Sequence, residues 1–242
     1  MKNYLITGVS KGLGLILAQK ALSENFNVYG VSRSKTPELD ELLKKYPARF
    51  FWKSLDLADA GLDVKKEIFK EFIVNKIPLN GFVNNAALAY DDIITNLNRD
   101  KLENMYRANV FAPMMITKYA IRNMIFNKVK GSIVHISSIS VHTGYKGLAM
   151  YASTKGALEA FSKNTAREWG ELGIRSNALV AGFMETNMSS TLSTDQKNRI
   201  YNRTSLKKPT NIESVANTIL FLLNENSESI TGQNIFVDSG TI

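Results

Sequence analysis

Tyr4-Leu5-Ile6-Thr7-Gly8-Val9-Ser10-Lys11-Gly12-Leu13-Gly14 is the stretch that decides the fold. Tyr4 to Ile6 read as a strand, Thr7 to Gly14 as a turn, and Gly14 to Leu22 as a helix. A strand that enters a helix through a glycine-rich turn suits a nucleotide. One glycine permits a sharp turn with unusual backbone angles. Another lets the backbone approach a pyrophosphate, and a third lets helix and strand pack closely. Free N–H groups and the positive end of the helix dipole then face the phosphates. Gly8, Ser10, Lys11, Gly12, Leu13 and Gly14 are the candidate contacts. Their spacing, Gly-x-x-x-Gly-x-Gly, departs from the Gly-x-Gly-x-x-Gly of the standard dinucleotide fingerprint.

Outward from this turn, short apolar runs alternate with longer amphipathic ones. Residues 27–31, 49–55, 79–83, 131–136, 174–180 and 234–237 read as further strands. Residues 38–46, 64–75, 101–126, 152–168 and 213–223 read as helices; Val64, Ile68 and Phe72 share one face. Repeated strand–helix–strand units imply a parallel sheet with helices on both faces. Right-handed crossovers make it doubly wound. The expected fold class is α/β, a Rossmann-type doubly wound parallel sheet of about seven strands. Residues 1–242 are expected to form one domain. Residues 185–211, rich in Ser, Thr, Asn and Lys, read as a mobile flap.

Composition narrows the chemistry. Of 242 residues, 44% are hydrophobic, enough for a sizeable core. Zero cysteines exclude disulfides, thiol redox chemistry, Cys-ligated zinc and iron–sulfur clusters. His135 and His142 lie seven residues apart without a helical i,i+4 relation, a poor start for a metal site. The net charge of +8 is scattered, and no run of like charges or nucleic-acid signature appears. The apolar run after Met1-Lys2-Asn3 is too short for a signal peptide. No stretch has the roughly 18 apolar residues of a membrane span. A cytoplasmic protein is expected, with no nucleic-acid or membrane partner.

The end of the second strand chooses the cofactor. A site selecting NAD places a carboxylate there, on the ribose hydroxyls. Here the chain reads Ser32-Arg33-Ser34. Arg33 can grip a 2′-phosphate bidentately, and Lys11 adds a second cation. NADP(H) is therefore expected over NAD(H).

Tyr151-Ala152-Ser153-Thr154-Lys155 carries the candidate chemistry. Tyr and Lys four apart on a helix share a face. A nearby ammonium and an oxidised nicotinamide would favour the phenolate of Tyr151. Such a tyrosine moves a proton to a carbonyl oxygen or from an alcohol. Ser138, at the end of a strand, can hydrogen-bond the same oxygen, although Ser137 and Ser140 compete for that assignment.

With these residues in place the chain resembles the short-chain dehydrogenase/reductase family. Matching features run in order: the turn from Thr7 to Gly14, Asn84-Asn85-Ala86-Ala87, Asn109, Ser138, Tyr151 with Lys155, Ala181-Gly182-Phe183-Met184-Glu185-Thr186, and Ile230-Thr231-Gly232-Gln233. The resemblance implies that Tyr151 is the general acid/base, that Lys155 holds the nicotinamide ribose and lowers the tyrosine pKa, and that Ser138 orients the carbonyl. It implies that Asn109 keeps a water in a proton relay to Lys155 and that Asn85 supports the sheet beside the cofactor. Asp56 would meet the adenine and Thr186 the carboxamide, with Leu57, Ala86, Gly182 and Met184 as further cofactor contacts. Three positions depart from the family pattern. Ala87 replaces a glycine, Ala181 a proline, and Ser239 a glycine.

Within the family, the nearest likeness is to 3-oxoacyl-(acyl-carrier-protein) reductases. It rests on overall length, the Ser138-to-Tyr151 spacing, and the stretches Gly182 to Met188 (through Asn187) and Leu192 to Gln196. That likeness implies reduction by NADPH of a 3-oxo group on a carrier-bound acyl chain, steered by a basic rim that includes Lys128 and Lys130. Val129 and Leu172 stand where such reductases often carry arginines, and Arg175 is only a neighbour. A carbonyl reductase or alcohol dehydrogenase for another small molecule is the alternative; a non-enzymatic NADP-binding sensor is the third reading. The resemblance further implies a homotetramer or homodimer packed through residues 101–126 and 152–168, with Phe161, Trp169 and Met124 as candidate interface residues.

Overall fold

The computed structural model describes residues 1–74, 77–186 and 192–242. Seven parallel strands form one sheet in the order β3-β2-β1-β4-β5-β6-β7. They are β1 (Asn3–Thr7), β2 (Asn27–Ser32), β3 (Phe50–Ser54), β4 (Gly81–Asn84), β5 (Ser132–Ser138), β6 (Arg175–Ala181) and β7 (Asn234–Val237). Adjacent residues of the central strands point to opposite faces. Leu5, Phe82 and Ile133 pack in one apolar cluster, whereas Ile6, Val83 and Val134 pack in the other. Both faces of the sheet are therefore buried, as parallel strands require. Helices α1 (Gly12–Ser23) and α9 (Ile212–Leu223) cover one face through Leu17, Leu22, Ile219 and Leu223. Helix α5 (Ala112–Phe126) covers the other through Ile116, Ala120 and Met124. Each fully buried Leu or Ile contributes about 1.5–3 kcal/mol.

Strand order reverses between β1 and β4, and the crevice beyond their carboxyl ends is where such sheets bind ligands. The turn after β1 and Asn85-Ala86 after β4 meet there.

Several elements differ from expectation, each for a local reason. Helix α2 (Pro37–Lys45) starts a residue early because Thr36 caps it. Helix α3 is only Val64–Glu67. The Glu71 and Ile73 amides reach back five residues, to Lys66 and Ile68, and these wide turns end the helix while keeping Val64, Ile68 and Ile73 buried. The expected end of that helix, Asn75, lies outside the described residues, as do Asn187 and Met188. The expected long helix is α4 (Arg99–Tyr106), a π-helical turn (Arg107–Phe111) and α5 in succession. A short α6 (Ser140–Thr143) leads toward α7 (Ala149–Trp169). The stretch read as an irregular flap contains α8 (Thr194–Arg203). A capping box between Ser193 and Gln196 starts it, satisfying two backbone donors reciprocally. Among the described residues no helix is long and apolar enough to cross a membrane.

Candidate active site

A cleft of about 700 Å³ runs along the carboxyl ends of the strands. At its centre the glycine turn is built by close contact. Gly8 (φ 78°) and Gly12 (φ 56°) both adopt the left-handed region that favours glycine. A Cβ on Gly14 would lie 2.1 Å from the Gly8 carbonyl oxygen, so α1 can pack here only with glycine. At Gly12 a Cβ would meet nothing nearer than Thr186, at 3.8 Å, so the backbone faces open cleft. Asn85 ties this turn to β4: its Nδ2 donates to the carbonyls of Thr7 (2.9 Å) and Gly8 (3.3 Å). Thr7 Oγ1 in turn accepts from the Asn85 and Ala86 amides. Lys11, the N-cap of α1, makes no side-chain cap, and no acidic residue occupies the first turn. Uncapped amides at the positive end of a 12-residue helix, reached across bare backbone, fit a dinucleotide pyrophosphate.

Beyond the end of β2, Arg33 is exposed beside the cleft, and Ser34 and Lys11 line the same end. Ser32, a further expected cofactor contact, lines the cleft too, and its hydroxyl accepts from Trp52 Nε1 (2.8 Å) and donates to the Ser34 carbonyl (3.2 Å). After β3, Asp56 is exposed, with Oδ1 accepting from the Ala58 amide (2.9 Å); Leu57 is buried next to it. Ser10, Leu13, Ala86, Met184 and Thr186 also line the cleft. Gly182 sits where a Cβ would strike Thr210 Oγ1 at 2.2 Å, so β6 can leave the sheet past β7 only with glycine there.

The chemistry-bearing side chains line the cleft beside this turn. Ser138 ends β5, and its Oγ accepts from the Ser140 amide (3.2 Å) and hydroxyl (3.0 Å). Both accepting lone pairs are used, which leaves its own proton to donate. Ser137 is buried and donates to Glu159 Oε1, so the choice among the three serines falls on Ser138. Tyr151 and Lys155 share one face of α7, with Lys155 Nζ 5.6 Å from the Tyr151 ring centre. Lys155 is buried and donates to the Ile136 carbonyl (2.8 Å). Burial pulls its pKa down to about 8. Burial, then the charge of Asp91, push the Tyr151 pKa up to about 12. Both causes favour the neutral phenol. At neutral pH the phenol therefore keeps its proton.

Asn109 is fully buried in the π-helical turn. Its Oδ1 accepts from the Leu88 amide (2.8 Å), and its Nδ2 donates to the Leu88 carbonyl (2.8 Å) and Thr154 Oγ1 (3.1 Å). The side chain thus joins the loop after β4 to α7, one residue from Lys155. Widened helical turns of this kind recur at functional sites.

One cluster escaped the sequence reading. Glu159, one turn beyond Lys155, receives Ser137, Asn234 Nδ2 (2.6 Å) and His142 Nε2 (3.0 Å). It anchors the ends of β5, α6 and β7 to α7. These residues are scattered over a hundred positions, and only the sheet order brings them together. His135 is buried against the rings of Phe82 and Phe161.

Comparison with known proteins agrees with this architecture. A family model described as enoyl-(acyl carrier protein) reductase, of the short-chain alcohol dehydrogenase type, matches residues 8–241. The 3-oxoacyl-(acyl-carrier-protein) reductase FabG of Buchnera aphidicola is 31% identical over 241 residues, covering 99% of this chain and 96% of that one. L-xylulose reductase of Caenorhabditis elegans is 27% identical, covering 99% and 95%. Among solved structures, ElxO in a tyrosine-to-phenylalanine variant with NADPH bound superposes with a TM-score of 0.87 at 28% identity, covering 99% and 98%.

Proposed function

The chain belongs to the short-chain dehydrogenase/reductase family, and from that premise we propose that it is an NADPH-dependent reductase that converts a carbonyl to an alcohol. The observation that carries this reading is Tyr151 on the same helix face as Lys155, in one cleft with Ser138 and the glycine turn. The cofactor is a nicotinamide dinucleotide, and when bound it supplies the two reducing electrons as a hydride. Gly8, Gly12 and the first amides of α1 hold its pyrophosphate, and Arg33 with Lys11 selects the 2′-phosphate. Ser138 donates to the substrate oxygen and fixes its position. Tyr151 delivers its phenolic proton to that oxygen, and Lys155 keeps positive charge beneath the transfer below about pH 8. Asn109 ties α7 to the loop after β4 and keeps the relay toward Lys155 in register. The whole chain, residues 1–242, acts as one dinucleotide-binding domain, which the single seven-stranded sheet supports.

The substrate favoured by the FabG relatives is a 3-oxoacyl thioester. Carrier docking finds less support. Leu172 is 52% exposed where a cation would help, and Arg175 turns inward to the carbonyls of Asn224 (3.0 Å) and Ile230 (3.4 Å). A small-molecule ketone or sugar is the second reading, favoured by the L-xylulose reductase likeness. Assembly into a dimer or tetramer through α4 and α5 is supported by exposed Phe111, Met115 and Phe126; Met124, expected at that interface, is instead fully buried. Phe161 packs on His135, and Trp169 packs against the core.

Tyr151→Phe tests the proposal. NADPH oxidation with a short 3-oxoacyl thioester should fall by about 10²–10⁴-fold, with NADPH binding retained. Undiminished turnover in Tyr151→Phe would remove the assigned proton donor.

A further inference from the structure

Helix α8 presents Gln196, Arg199, Ile200 and Arg203 to the cleft. The spacing i, i+3, i+4, i+7 places all four on one side of the helix. Arg199 and Arg203 are like charges at i,i+4, an arrangement that weakens an isolated helix. Among the described residues neither forms an ion pair with an acid: Asp195, one turn earlier, makes none there, and Glu185 is taken by Tyr201 (2.5 Å) and Lys197 (3.6 Å). Lys146, between β5 and α7, also lines the cleft without an ion pair among the described residues. Asp91 is an acid on the same wall.

These cations belong to a different part of the chain from Arg33. Arg33 follows β2, whereas α8 follows β6, four strand spacings away in the sheet. Tyr151 and Ser138 line the same cleft as these cations.

We propose that Arg199, Arg203 and Lys146 recognise an anionic group, carboxylate or phosphate, on the carbonyl substrate. The proposal rests on the carbonyl-reductase reading and narrows its substrate class. Two planar guanidinium forks suit the paired oxygens of either anion. Levulinate against its methyl ester, and dihydroxyacetone phosphate against dihydroxyacetone, are the probe pairs. Calorimetric titration of the full chain, with and without NADPH, reads binding whether or not turnover follows. The anionic member should bind about tenfold tighter or better than its neutral partner. The preferred pair tells carboxylate from phosphate. Arg199→Gln/Arg203→Gln should bring the ratio close to one, and added salt should shrink it. Arg199→Lys/Arg203→Lys, which keeps the charge, should keep most of the preference. Equal or absent binding of anionic and neutral members, or a ratio unchanged in the glutamine variant, would overturn the proposal. Failure of the reductase reading looks different: NADPH would neither bind nor be oxidised, while the anion preference of the cofactor-free protein stood.

Discussion

His135 shows how much one side chain can tell. It is fully buried on β5, and desolvation followed by the Lys155 charge hold its pKa down to about 3. The folded protein therefore keeps His135 neutral, whereas the unfolded chain takes up a proton below about pH 6.5. Stability from this residue is present above that pH and is lost as pH falls toward about 3. The account predicts a loss of about 1.6 kcal/mol between about pH 6.5 and about pH 5, the slope rising toward about 1.4 kcal/mol per pH unit at the acid end. Urea unfolding at the two pH values checks it. His135→Phe, which keeps a ring between Phe82 and Phe161, should remove most of this dependence. An equally steep dependence in the variant would place the proton elsewhere. Burial moves Tyr151 and Lys155 by the same physics, the phenol up to about 12 and the lysine down to about 8, each toward its uncharged form.

Elements explain why the glycine turn cannot be varied. A methyl on Gly14 meets the Gly8 carbonyl at 2.1 Å and Asn85 Nδ2 at 2.6 Å, so α1 must move off β1. Gly14→Ala should destabilise by about 1–3 kcal/mol, as overpacking does, and weaken NADPH binding. Gly12→Ala has open space and meets only the cost of its positive φ, about 1 kcal/mol. Urea unfolding of the two variants ranks them; a Gly14→Ala as stable as wild type would refute the close-packing argument. This turn was legible because strand, glycines and helix adjoin in the chain, and the same holds for β7, found where alternation put it. Helix α3 was not, because apolar spacing does not distinguish a helix from wide turns that bury the same Ile68 and Ile73. Helix α8 was not legible although Ser193 and Gln196 carry its capping signal, because the polar composition of residues 185–211 equally suits a mobile flap. The Glu159 cluster and the inward turn of Arg175 depend on tertiary placement that no local pattern encodes.

Across the whole molecule, charge and topology divide one cleft between two tasks. The β1–β4 reversal sets the dinucleotide turn at its centre, with Arg33 on the β2 side. Ser138 at the end of β5, Tyr151 on α7 and the cations of α8 line the same cleft, which the proposal assigns to the carbonyl compound. The family description speaks of enoyl reduction and the relatives of carbonyl reduction. The two outcomes differ in which carbon receives the hydride. The decisive measurement uses NADPH deuterated at the transferring carbon of its nicotinamide, a short 3-oxoacyl thioester, and mass spectrometry of the product. The account predicts one deuterium, on the new carbinol carbon. No deuterium on that carbon in a reduced product would contradict it.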